Sequence, residues 1–393
     1  MNTNYCAYVD KGLRLTFKSD QNNQLATNVR PCCMTHGEKI PRKDYRYTKV
    51  DAQSILEHPT RVHFQNWFKE NTSHLHPACN LCTNLEKAMS PSPRTEMNSI
   101  AKNHTDFDIL RLDVDLSNTC NLACVFCNSH ASSLIETVSA KYQKEELPEH
   151  WRTHTKKQPK NADITNLLAD ILRNYKVKSI HIKGGEPLLV ENWKPIEKVL
   201  DEIDCSELEL EITTNGTVMN DEIIRRLSKT KRSRIKISVD GIHENYEFLR
   251  WPHSWKKMEK NLDFIFSHQS EVLNVDIVLL VNLYNFEYLP QIEELFNNKK
   301  WKYYMSFDIK PDNSVLNCMN LPDWLIHKVY DQLQNPHSSS MQGIVTVLDK
   351  LKENNNKRDL SDIAHDTKFY LAQRQMKAVD VIGPLTLDYL QSI

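Results

Sequence analysis

From Asp108 to about Lys310 the chain alternates short apolar/polar runs with longer amphipathic ones, and few folds accept that order. Strand-like runs cover 109–117, 177–183, 207–214, 233–239, 273–281 and 302–309. Helix-like runs cover 129–146, 191–203, 220–229, 254–267 and 286–298 between them. The first strand shows its period plainly, with Leu110, Leu112, Val114 and Leu116 at every second position. Strands separated by crossover helices pair in parallel, and six such units predict an open relative of the βα barrel. The expected fold is α/β, a partial (βα)6 TIM-like barrel over 106–310. A small cysteine-rich domain (1–105) precedes it and a helical extension (311–393) follows. In the first region Val9 to Phe17 reads as a strand, Ile55 to Phe68 as a helix and Pro77 to Cys82 as a turn. The polar stretch 147–162, with Pro148, Trp151 and Pro159, interrupts the first crossover as a lid or a plain loop.

Directly after the first barrel strand come Cys120, Cys124 and Cys127, spaced C-x3-C-x2-C. A loop so placed can wrap three thiolates around one face of a cubic iron–sulfur cluster, leaving the fourth iron without a protein ligand. An open metal position is a substrate or cofactor site, as it is in catalytic metal centres. Closed structural zinc is the alternative, but no His or Cys follows at finger spacing, His130 being only three residues past Cys127.

Composition narrows the class. The 50 Lys and Arg balance 51 Asp and Glu, so no overall field draws the chain to nucleic acid or an anionic membrane. There is no apolar run of membrane-spanning length and no secretion signal, so a cytoplasmic protein is expected. Ten cysteines in such a chain argue for metal or redox chemistry in a reducing compartment. Glycines number only 8, which makes the adjacent pair in Lys183-Gly184-Gly185-Glu186-Pro187 informative. Two bare residues let the backbone approach a ligand where a side chain would clash, and Glu186 offers a carboxylate to a cation; an ordinary turn is the bland reading. Further on, Thr213-Thr214-Asn215-Gly216 and Ser238-Val239-Asp240-Gly241 end two successive strands.

Together these segments resemble the radical S-adenosylmethionine (radical SAM) enzymes. The resemblance implies that Cys120, Cys124 and Cys127 ligate a [4Fe-4S] cluster whose open iron chelates SAM. It implies that Gly184, Gly185, Glu186 and Pro187 hold the methionine amino group. Similarity to the sulfatase-maturating and peptide-modifying groups adds Ser238, Asp240 and Arg250 as SAM contacts, with Asn215 less firmly placed. The fifth-strand Gly-x-Ile-x-Gly pattern of some members is absent from Val275–Asn282, so adenine contacts stay unassigned. The reaction so implied is reductive cleavage of SAM to a 5′-deoxyadenosyl radical that abstracts hydrogen from a substrate.

The N-terminal cysteines could supply four thiolates for zinc or a second [4Fe-4S] cluster. Arg30-Pro31-Cys32-Cys33 and Pro77-Ala78-Cys79-Asn80-Leu81-Cys82, with Glu86, Ser92 and Arg94, resemble the twitch domain, a shortened SPASM auxiliary-cluster domain. The resemblance implies the ligands Cys6, Cys32, Cys79 and Cys82, with Cys33 as the alternative to Cys32. It departs from the commoner arrangement by preceding the barrel. Cys205 and Cys318 read as small core residues. The implied partners are an electron donor such as flavodoxin or ferredoxin and a peptide or protein substrate. A nucleotide, sugar or natural-product intermediate is the alternative substrate; from another class, a zinc- or cluster-stabilised binding protein is the alternative function.

Overall fold

The computed structural model describes residues 5–19, 25–32, 46–47, 51–71, 75–87, 89, 91–152, 161–307, 316–333, 338–353 and 361–392. Its contacts divide into two compact units, each made of several chain segments. The first holds Met1–Thr119, Thr155–Thr213 and Asp221–Ser233; the second holds Cys120–His154, Thr214–Asn220 and Arg234–Ile393. This grouping differs from the three consecutive segments drawn from the sequence.

Strand pairing explains why the N-terminal segment belongs with the first barrel strands. The strands are β1 (Gly12–Ser19), β2 (Leu25–Arg30), β3 (Arg46–Tyr47), β4 (Arg111–Asp115), β5 (Ser179–Lys183), β6 (Glu209–Thr214), β7 (Arg232–Ser238), β8 (Leu273–Val281) and β9 (Tyr303–Phe307). In the first unit the order is β3-β2-β1-β4-β5-β6. β4, β5 and β6 are parallel, as the crossover helices require. β1 adds to β4 in parallel, with Leu13 beside Leu112 and Leu15 beside Val114, and β2 returns antiparallel along β1. The alternation has one sense throughout: Leu13, Leu15, Leu112, Val114, Ile180, Ile182, Leu210 and Ile212 are buried. The helix Val190–Glu202 covers such positions with Trp193, Ile196, Val199 and Leu200.

The second unit carries β7, β8 and β9 in that order, with β8 and β9 parallel. Its remaining elements are helical, among them Trp255–Ser267, Leu289–Asn298, Asp323–Gln332, Ser339–Glu353 and Ser361–Arg374. The helix Ser339–Glu353 comes so close to β9 at Gly343 that an added Cβ would stand 1.9 Å from the Phe307 ring. The fold class is thus the expected α/β one, a TIM-like partial barrel with a helical C-terminal region. No helix among the described residues is long and apolar enough to cross a membrane.

Four local expectations are corrected. The helix expected over 129–146 is confined to Ser133–Ser139, because the chain after Cys127 first turns and Ser132 then caps the helix. Of the stretch 147–162, residues 153–160 lie outside the described residues; the rest includes a 3-10 turn, Glu149–Trp151, whose Trp151 is buried, and the start of the helix Asn161–Asn174. Val9 to Phe17 begins as the short helix Ala7–Lys11 before β1. Pro77 to Cys82 is a 3-10 turn that runs into the helix Asn80–Lys87.

Candidate active site

The glycine turn is built within the first unit. After β5 the chain runs beside residues 116–119, the segment that leaves β4. Gly185 N–H donates to Ser117 O at 2.7 Å and Glu186 N–H to Thr119 O at 2.8 Å. Gly184 has φ +132°, a backbone that side chains rarely adopt, and a Cβ on Gly185 would lie 2.3 Å from the Thr119 carbonyl oxygen. The glycine pair thus allows close approach to the residues leading into Cys120. Glu186 is fully buried; its Oε1 accepts from Leu188 N–H at 3.0 Å. Pro187 behind it is buried as well. Asn192, which the sequence reading did not single out, ties the turn together. Its Nδ2 donates to Glu186 O at 2.7 Å, and its Oδ1 accepts from Ser117 Oγ at 3.0 Å.

The cysteine loop is built within the second unit. Leu122, Ala123 and Val125 are buried, and their burial anchors a segment without regular structure. Ser132 Oγ donates to Leu122 O, Ser133 Oγ accepts from Cys120 N–H at 3.2 Å, and Ala123 N–H donates to Trp251 O at 2.8 Å. The turn from Cys124 O to Cys127 N–H, 3.1 Å, brings two of the cysteines together. Burial pushes the Cys127 thiol up, and the Cys124 and Cys120 sulfurs push it further. Burial likewise raises Cys124, against the pull of the Arg250 guanidinium.

Two of the expected SAM contacts, Asn215 and Arg250, meet this loop. Asn215 Nδ2 donates to Asn121 Oδ1 at 2.9 Å and lies 3.9 Å from Cys120 Sγ. Arg250 Nη1 lies 3.9 Å from Cys124 Sγ, and its Nε donates to Asp240 Oδ2 at 2.6 Å. Arg250 and Asp240 are both buried, and Asp240 Oδ1 also accepts from Leu280 N–H at 2.8 Å. Asp240 therefore fixes Arg250 beside Cys124. Ser238 ends β7 half-buried, and no partner for its hydroxyl stands among the described residues. Three thiols with N–H donors on two sulfurs suit a cluster, whose potential such hydrogen bonds tune.

In the first unit Cys6, Cys32, Cys79 and Cys82 line one cavity with Tyr8, Val9, Pro93 and Arg94. Cys33 lies outside the described residues. The helix start sets Cys79 and Cys82 three residues apart, on one face. Burial pushes the Cys79 thiol up to about 12, with Cys6 and Cys82 adding to it, and burial pushes Cys6 to about 11. Such thiols become thiolates only with a cation to hold them. Arg94 pairs with Glu86 and donates through Nη1 to Tyr5 O at 2.9 Å, which fastens the chain next to Cys6. Four thiols fit either a closed cluster or zinc. Among the described residues no three His, Cys, Asp or Glu side chains are drawn in around a single point as ligands of one ion.

A charged network that sequence reasoning passed over lies on the polar face of β4, β5 and β6. His181 stands 3.1 Å from Asp113 and 2.9 Å from Thr213 Oγ1, while Arg111 reaches Asp113 at 3.1 Å and Glu211 at 3.2 Å. Burial works to raise Asp113, but the His181 hydrogen bond and the Arg111 charge outweigh it and bring it to about 2. Burial lowers His181. The polar positions alternating with Leu112, Val114, Ile180 and Ile182 were the available signal.

Comparison with known proteins follows the same residues. The radical SAM superfamily profile matches residues 114–296. A protein of Methanocaldococcus jannaschii, named provisionally as a glycyl-radical enzyme activating enzyme, is 25% identical over 156 residues, 39% of this chain and 58% of its own. The sporulation killing factor maturation protein SkfB of Bacillus subtilis is 27% identical over 137 residues, 35% of this chain and 28% of its own. The chain thus covers less than two thirds of either relative's length. Streptococcus suis SuiB superimposes over 90% of this chain and 73% of its own with a TM-score of 0.38 at 14% identity, too loose a likeness to argue from. The matched segment contains the three-cysteine loop, the Gly-Gly-Glu-Pro turn, Asn215, Ser238, Asp240 and Arg250, and over it the chain is similar to the radical SAM superfamily.

Proposed function

We propose that the chain is a radical SAM enzyme with a second, auxiliary cluster, acting on a peptide or protein. The observation that carries the radical SAM reading is the C-x3-C-x2-C loop of Cys120, Cys124 and Cys127, with Asn215 and Arg250 nitrogens 3.9 Å from two of its sulfurs. The three thiolates would hold a [4Fe-4S] cluster, and the turn Gly184-Gly185-Glu186-Pro187 would receive the methionine end of SAM. The bound cluster would supply the electron that breaks a C–S bond of SAM, giving a 5′-deoxyadenosyl radical to abstract a substrate hydrogen.

The chain's own residues position and shield. Buried Leu122, Ala123 and Val125 keep water from the back of the loop, and Arg250 places a fixed positive charge at Cys124. Asn215 braces Cys120 through Asn121 and Thr217. The Ser238 hydroxyl, half-buried and without a partner among the described residues, could meet SAM.

The shared cavity of Cys6, Cys32, Cys79 and Cys82 supports the auxiliary cluster in a twitch-like region over 1–105, ahead of the barrel over 106–310 and the extension over 311–393. Reduction would come from a flavodoxin or ferredoxin in the cytoplasm. The peptide reading draws support from SkfB, named for maturation of a killing factor.

Anaerobic reconstitution followed by iron and sulfide analysis tests the two-cluster arrangement. About eight irons per chain are expected, and roughly four in Cys79→Ala, which should retain some SAM cleavage. Zinc at the N-terminal thiols with about four irons would replace the auxiliary cluster by a structural ion. Zinc alone would sink the enzyme reading.

A further inference from the structure

The helix Ser361–Arg374 belongs to the C-terminal region, outside the segment matched by the superfamily profile, yet its last turn reaches the cysteine loop within the second unit. Arg374 Nη2 donates to Ala123 O at 2.8 Å and its Nη1 donates to Phe248 O. One turn earlier, the Tyr370 hydroxyl donates to Val125 O at 3.0 Å and stands 3.0 Å from His150 Nε2. Cys124 is thus flanked by two carbonyls, both held from the same helix.

Among the described residues the charge on Arg374 has no anion to answer it. The guanidinium is buried, 6% exposed, and lies over the Phe248 and Tyr370 rings at 5.1 and 4.8 Å. Its Nε has no hydrogen-bond partner, and no carboxylate among the described residues forms an ion pair with it. Arg250, the other cation near Cys124, is neutralised by Asp240. A buried cation without a counter-charge is costly, and the nearby Cys124 is the group that would carry negative charge once it ligates metal. Burial lowers the Arg374 pKa to about 10, which still leaves the group charged at neutral pH.

We propose that Arg374 is a positioning residue for the three-cysteine site, the fixed counter-charge to its ligated thiolates, which raises the reduction potential of the cluster they hold. The direction follows from electrostatics: reduction adds negative charge, so a fixed cation favours the reduced form. The inference rests on Cys120, Cys124 and Cys127 being cluster ligands.

The test is a mediator titration of the reconstituted full chain, following the reduced-cluster electron paramagnetic resonance signal that SAM alters. Arg374→Gln keeps a donor but loses the charge, and its midpoint should move to lower potential. Arg374→Lys should return towards wild type. Tyr370→Phe, which removes a loop bond but no charge, should leave the midpoint in place. An unmoved midpoint in Arg374→Gln overturns the inference, as does an equal shift in Tyr370→Phe. If Arg374→Gln takes up no iron, Arg374→Lys decides: a cluster at wild-type potential supports the charge, and its loss reduces Arg374 to a structural tie. A wild-type chain that forms no SAM-sensitive cluster instead fails the functional reading itself.

Discussion

Gly185→Ala is the substitution whose cost the structure fixes best. The new methyl carbon would lie 2.3 Å from Thr119 O, 2.7 Å from Thr119 C and 2.8 Å from Asn118 C. A comfortable carbon–oxygen contact is about 3.4 Å, so the turn and the 116–119 segment must part by about 1 Å. All three obstructing atoms are backbone and cannot rotate aside. Parting lengthens the 2.7 Å bond from Gly185 N–H to Ser117 O and the 2.8 Å bond from Glu186 N–H to Thr119 O. Two hydrogen bonds at about 1 kcal/mol each and overpacking at about 1–3 kcal/mol outweigh the roughly 0.4–1 kcal/mol that alanine contributes by stiffening the unfolded chain. The net loss should be about 2–5 kcal/mol. Urea unfolding of the cofactor-free chain, followed by tryptophan fluorescence, reads it, since Trp193 is buried in the helix after the turn. The same variant should cleave SAM more slowly, because Thr119 leads directly into Cys120. A stability within 0.5 kcal/mol of wild type, roughly the range of an indifferent surface change, would refute the packing argument.

Two further outcomes follow from buried charges. Asp240→Asn leaves the Arg250 guanidinium buried without its carboxylate and should cost about 3–5 kcal/mol in the same urea assay, with Arg250→Met in addition restoring part of it; a harmless Asp240→Asn would show that Asp240 does not hold Arg250. Asp113 is held near 2 against an ordinary 3.8, so its contribution is present above about pH 5 and lost as pH falls towards 2, worth about 2 kcal/mol. His181, lowered by burial, acts in the same sense, since acid charges it more readily in the unfolded chain. Unfolding followed from pH 7 to 3 should therefore show a shallower acid loss in Asp113→Asn, and parallel curves would contradict the pairing.

Much of the fold was legible because one face of each strand is apolar. The ends of all six barrel strands lie within two residues of the runs read from the sequence, and the helix Val190–Glu202 nearly coincides with 191–203. What periodicity could not show was pairing at long range: β1 beside β4 is set by a parallel register across about a hundred residues. The helix expected over 129–146 was overextended because apolar spacing does not reveal that Ser132 serves as a cap. At the site, residue types with few uses were readable, namely cysteines in close spacing and paired glycines. Asn192, Tyr370 and Arg374 were not, since a lone Asn or Arg acquires its role only when the fold delivers it to a particular carbonyl. His181 was missed for a related reason: each polar strand residue alone looks like a solvated face, and only the register joins Asp113, His181 and Glu211.

The central claim is that the three-cysteine loop carries SAM cleavage. Its most direct measurement is 5′-deoxyadenosine formed from SAM by the reconstituted chain under dithionite, read by mass spectrometry beside Cys124→Ala. Wild type should form the product and Cys124→Ala none, with the auxiliary irons still present in the variant. Equal product from both would contradict the assignment of Cys124 as a cluster ligand and the reading built on it.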